Sequence, residues 1–199
     1  MKKIITSTIL FGSIWGLIEC SIGDWLHGYN LSFITAGIAI FIMAATRHHF
    51  RQPGMQAGMA LIAGLLRCFN PMGGCLLCAA IAIVIEGAVF EGIWRIPWQK
   101  YESLTMKAGM GIISFYTIFF SGYFATQILT PLTVGRFYLS DLVAVIPKIF
   151  ASSLFAGIIG SFALPLACLP FKLEINEKLY YTSVYSIITI CWLAVMLGI

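Results

Sequence analysis

Charge is the scarcest property of this sequence. Of 199 residues only 10% are Asp, Glu, Lys or Arg, against 60% hydrophobic, and the mean hydropathy of +0.94 lies far above that of a soluble domain. Five runs lack all four charged residue types: Trp25 to Thr46, Cys68 to Ile85, Ala108 to Gly135, Ile149 to Phe171 and Leu179 to Ile199. Each is about as long as a bilayer-spanning helix requires, and no stretch is left over for a soluble domain. The two-residue alternation of a barrel strand is missing as well, which excludes a β-barrel and leaves helices as the way to satisfy the backbone in lipid. No glycine-rich nucleotide loop occurs, so the chain does not bind its own ATP through such a motif. The net charge of +4 comes without a basic patch interleaved with aromatics, which excludes nucleic acid as a partner. The six cysteines lack zinc-finger spacing, and Cys20, Cys78, Cys168 and Cys191 fall inside apolar stretches, where cysteine behaves as a small core residue.

What remains is an all-α, polytopic transmembrane helix bundle of six to seven helices in a single integral membrane domain. Seven apolar segments cover about 4–23, 31–46, 55–69, 76–94, 106–130, 142–166 and 180–198. Lys2 and Lys3 before an apolar stretch have the look of a secretory signal, but Glu19 sits late in it and no clean small-x-small site follows; the expectation is a retained first membrane helix. Nine basic residues (Lys2, Lys3, Arg47, Arg51, Arg95, Lys100, Lys107, Lys172 and Lys178) fall on one side, and only Arg67 and Arg136 mark the other. The positive-inside rule therefore places the amino terminus in the cytoplasm and the loops 24–30, 70–75 and 131–141 outside, in a cell inner (plasma) membrane.

Against this background each ionisable residue in an apolar segment calls for a reason. On the first helix Gly12, Gly16 and Cys20 recur every four residues and form a small-xxx-small face, which either another helix of the same chain or a partner subunit can occupy. Glu19 lies about 6 Å below Gly23 by helical rise, and Arg67, at the outer end of the third segment, is its expected counter-charge. That pair is either purely structural or also in contact with a ligand. On the fourth helix Cys75, Cys78, Ala82 and Glu86 share one stripe, about 16 Å long, running from the outer boundary to near the midplane. A stripe that ends in a buried acid is expected to border a polar cavity. Glu91 is expected to pair with Arg95 one turn on, and Lys148, too deep to snorkel, with Glu86 or Glu19.

Two motifs, "WGLIECSIGDWLH" (Trp15 to His27) and "ALIAGLLRCFNPMGGCLLCAAIAIVIEGAVFEG" (Ala60 to Gly92), together with the size and the small-residue face, resemble the S components of energy-coupling factor (ECF) transporters. The likeness covers about the first 125 residues. It implies a membrane subunit that captures a small-molecule micronutrient at the outer face, with no catalysis and no cofactor of its own. It further implies a transmembrane coupling subunit, meeting the face of Gly12, Gly16 and Cys20, and separate ATPases. Glu19, His27, Arg67, Asn70, Glu86 and Lys148 are then the candidate substrate contacts. Competing readings are a thiol/quinone oxidoreductase using Cys75 and Cys78, a metal site drawing on His27, Cys68, Cys75, Cys78 and Glu19, and a membrane scaffold without ligand.

Overall fold

The computed structural model describes residues 2–71, 76–95, 103–133, 135–169 and 176–198. The described residues form seven helices: α1 Lys2–Gly28, α2 Ser32–Phe50, α3 Met55–Phe69, α4 Leu76–Ile93, α5 Leu104–Thr133, α6 Leu139–Ala167 and α7 Glu177–Leu197. Among the described residues there is no strand. Five helices (α1, α2, α5, α6 and α7) are long and apolar enough to cross a membrane, and the molecule is a multi-pass membrane protein.

Several helices extend beyond their apolar segments, α2 and α7 through polar end turns, whereas α3 matches its segment and α4 stops one residue short of its own. α2 continues through Arg47, His48 and His49 and stops where Arg51 turns left-handed (φ 51°), its N–H returning to the Arg47 carbonyl. α7 begins early because the Asn176 side chain accepts the Lys178 N–H, an N-cap that meets one otherwise unpaired donor. α1 runs five residues past Gly23 by way of a π-helical turn over Glu19–Gly23.

Successive helices run up and down, so the bundle has a proximal end, carrying Lys2, and a distal end, carrying the connections after α1, α3 and α5. α5 packs along α6, α3 along α4, α1 on α3, α2 on α6 and α4 on α5, while α7 leans on α1 from outside. Ser7 Oγ to Tyr180 Oη (2.6 Å) and Trp192 Nε1 to Ser13 Oγ (3.0 Å) fasten α7 there. The core under the site consists of Trp15, Ile40, Met43, Met59, Phe90, Phe115, Ile118 and Leu164.

Small residues decide the closest approaches. A Cβ on Gly111 of α5 would run into the Gly160 carbonyl of α6, and one on Gly160 into the Gly111 carbonyl, so the two backbones touch. The glycine face of α1 is used in the same way. A Cβ at Gly12 would lie 2.8 Å from the Met59 carbonyl oxygen and one at Gly16 2.8 Å from Leu66 Cδ1, while Cys20 packs with Leu66 and Val195. Of the two occupants open for the face of Gly12, Gly16 and Cys20, a helix of the same chain or a separate subunit, it is α3 of the same chain that packs there.

Near the proximal end a polar knot ties α2, α3 and α4. Glu91 faces Arg47 (Nη1 to Oε2 3.6 Å) rather than the expected Arg95, and also accepts the Gln56 N–H at 3.2 Å. Arg47 Nη2 donates to the Trp94 carbonyl at 3.2 Å. The reason for the difference is tertiary: α2 and α3 bring a buried guanidinium and a backbone donor to Glu91, and a pair shielded from water outweighs a solvated helix-end contact.

Candidate functional site: a carboxyl-lined cavity

A cavity of about 430 Å³ opens among α1, α2, α4 and α5, with Arg67 of α3 at its wall, in the distal half of the bundle. Its floor is Glu86, the eleventh residue of α4 and about 15 Å from that helix's distal end by helical rise. Its upper walls are His27, Ser32 and Thr130 at the helix ends.

α4 delivers Glu86 through the stripe legible in the sequence, since Cys78, Ala82 and Glu86 all line the cavity. Cys75, the first position of that stripe, lies outside the described residues. Glu86 is 8% exposed and, among the described residues, makes no hydrogen bond and no ion pair. Its carboxyl lies against Gly122 of α5, in space that a Cβ would take. The glycine is therefore what gives the acid room.

α1 contributes through its π turn. Residues five apart on a regular α-helix point about 140° from one another, but the wider turn lets Glu19, Gly23, Asp24 and His27 all reach the cavity. Glu19 Oε1 accepts from Trp15 Nε1 at 3.3 Å, and its other oxygen lies 3.1 Å from where a Cβ on Gly23 would sit.

Arg67 does not pair with the Glu19 carboxylate. It forms a two-pronged ion pair with Asp24, Nη1 to Oδ2 at 2.8 Å and Nη2 to Oδ1, and Nη1 also donates to the Glu19 backbone carbonyl at 3.2 Å. Asn70 Nδ2 completes the brace by donating to the Cys20 carbonyl (3.2 Å) and to Asp24 Oδ2 (3.3 Å). The expected Glu19–Arg67 pair is corrected to Asp24–Arg67, because the π turn carries Asp24 to the guanidinium. Two donors from the end of α3 thereby hold two carbonyls of the wide turn.

Lys148 is likewise elsewhere. It lines a second cavity of about 230 Å³ between α2, α5 and α6, and its ammonium donates to Asn30 Oδ1 at 2.7 Å instead of meeting Glu86 or Glu19. The two cavities share a wall of His27, Ser32, Phe119, Tyr123 and Gln127. His27 Nδ1 lies 3.2 Å from Ser32 Oγ. Of the candidate contacts, then, Glu19, His27, Arg67 and Glu86 come together at one cavity, Lys148 at its neighbour, and Asn70 stands behind the wall, 2% exposed.

Sequence reasoning passed over α5. Phe119, Gly122, Tyr123, Thr126, Gln127 and Thr130 recur at three- and four-residue spacing and form its cavity face. The signal was a small and polar stripe in an otherwise apolar helix, hidden because none of its members is charged.

Among the described residues no three His, Cys, Asp or Glu side chains converge as they would have to around a metal ion. Cys78 Sγ lies 3.7 Å from Thr133 Oγ1, and Cys68 is exposed and away from the cavity. No family model, curated protein or solved structure matches the chain.

Proposed function

We propose that this protein is a membrane-embedded solute-binding subunit that captures a small molecule from the outer face, as the S components of ECF transporters do. The observation that carries this reading is the cavity itself. It is built from five helices, it falls within the size range of small-molecule sites, and it ends on a buried acid that no described residue neutralises. A scaffold without a ligand gains nothing from such a group, since an unpaired ionisable side chain inside a bundle is costly.

In this reading the amino terminus is cytoplasmic, the distal end faces outward, and the membrane is the plasma membrane, as the distribution of Lys and Arg supports. Energy for release comes from a transmembrane coupling subunit and ATPases. With the Gly12 and Gly16 face filled by α3, that subunit meets another surface of the bundle.

The test is to purify the full chain in mild detergent, release small molecules by denaturation, and identify by mass spectrometry any that is stoichiometric with protein. A stoichiometric solute that is lost when Gly122→Leu fills the cavity supports capture. Protein that carries no solute, and whose melting temperature no solute of any charge class raises, contradicts it.

A further inference from the structure

We infer that the solute is a small organic cation, whose ammonium group sits against Glu86. The inference rests on the capture reading above and concerns the charge of the captured molecule.

The balance of the cavity wall comes first. Three carboxyl groups (Glu19, Asp24 and Glu86) and one guanidinium line it. The guanidinium is spent, since both its terminal nitrogens point at Asp24 and its remaining contact is a backbone carbonyl. Two carboxyl groups are left without a cation. Glu19 has one indole donor, and Glu86 has no donor among the described residues although it is more than nine-tenths buried and faces the hollow. An ammonium placed there supplies both the donor and the counter-charge.

Two hydroxyl groups of the wall point the same way. Thr35 Oγ1 donates to the Ser32 carbonyl (2.9 Å) and Thr126 Oγ1 to the Tyr123 carbonyl (2.7 Å). A hydroxyl has a single proton, so both present only lone pairs to the cavity. Beside the two unmatched carboxyl groups, these acceptor-only hydroxyls suit a ligand that carries donors. Phe119 and Tyr123, ring centroids 5.6 Å apart and edge to face, add aromatic surface of the kind that holds organic cations.

Two alternatives fit worse. A metal ion needs three or more close ligands, which the described residues do not assemble, and it would leave most of about 430 Å³ unfilled. An anion would meet two unmatched carboxyl groups, while Lys148, held by Asn30, lies in the neighbouring cavity.

The experiment measures binding to the full-length purified chain for two skeletons in three charge forms: phenethylamine, 2-phenylethanol and phenylacetate, and butylamine, butanol and butyrate. At least one amine binds, and its alcohol and carboxylate counterparts bind at least about tenfold more weakly, the loss expected when a charge-assisted hydrogen bond is removed. Glu86→Gln lowers amine affinity by about tenfold or more while its melting temperature stays at or above that of the parent. Equal or stronger binding of an alcohol or a carboxylate overturns the cation assignment but leaves capture standing. An unchanged amine affinity in Glu86→Gln overturns the placement at Glu86. If no member of either series binds, the assignment fails; a stoichiometric copurified solute without a cationic group then shows that capture alone survives.

Discussion

Removing Arg67 separates two roles that a buried cation beside a cavity can have. If Arg67 holds ligand, its loss should spare the fold; if it braces the π turn, its loss should unseat α1. The structure gives it three hydrogen bonds, two to Asp24 and one to the Glu19 carbonyl, at 8% exposure. Hydrogen bonds to charged groups contribute about 1.5 to 3 kcal/mol each, and breaking a fully buried pair costs about 3 to 5 kcal/mol. The Asp24 side chain is 36% exposed, so water re-solvates it in part and the lower end of that range applies. Arg67→Met should therefore destabilise by about 3 kcal/mol, or roughly 6 to 12 °C in melting temperature for a chain of this size. The assay is thermal unfolding in one detergent for Arg67→Met, Asp24→Asn, Glu19→Gln and the two double variants. Arg67 and Asp24 should be coupled by about 2 kcal/mol, and Arg67 and Glu19 by much less, because the Glu19 carboxylate is not the acceptor. Additive losses for Arg67 with Asp24, or coupling to Glu19 instead, would refute the brace.

Four further outcomes follow from the packing and from the distribution of charge. Gly16→Leu should destabilise the isolated chain by more than about 2 kcal/mol through overlap with Leu66 and Ala63, as thermal unfolding can measure; a face reserved for a separate subunit would leave the isolated chain unaffected. Gly111→Ala should cost about 1 to 3 kcal/mol in the same assay by pushing α5 from α6, and a neutral result would contradict the backbone contact. Glu91→Leu should lower stability by about 3 kcal/mol, read as melting temperature, because Arg47 is left buried without its acid. In intact cells a membrane-impermeant maleimide should label a cysteine introduced at Tyr138 but not one at Gln52; the reverse pattern would invert the orientation.

The parts of the fold legible in the sequence are those governed by periodicity. Long runs poor in charge located the helices, and the four-residue spacing of Cys78, Ala82 and Glu86 located one wall of the cavity. The Arg67 partner was not legible, for a reason that lies in α1. Depth reckoned at a constant rise and rotation puts Glu19 opposite Arg67, but a π turn adds a residue without adding a regular turn, and Asp24 arrives instead. Gly122 and the α5 stripe were missed because room is not written in residue type; a glycine shows its use only when the neighbour it makes space for is known. The knot of Arg47, Gln56 and Glu91 joins three helices whose pairing no single-helix pattern encodes.

That knot carries a further consequence for traffic through the bundle. Below Glu86 the interior is filled by Trp15, Met43, Met59 and Phe90, and the last layer before the proximal surface is cross-tied by ionic and amide groups. Among the described residues the cavity is a well with a corked bottom. Among the described residues nothing continues the cavity past Glu86, so whatever enters from the distal mouth meets a packed floor.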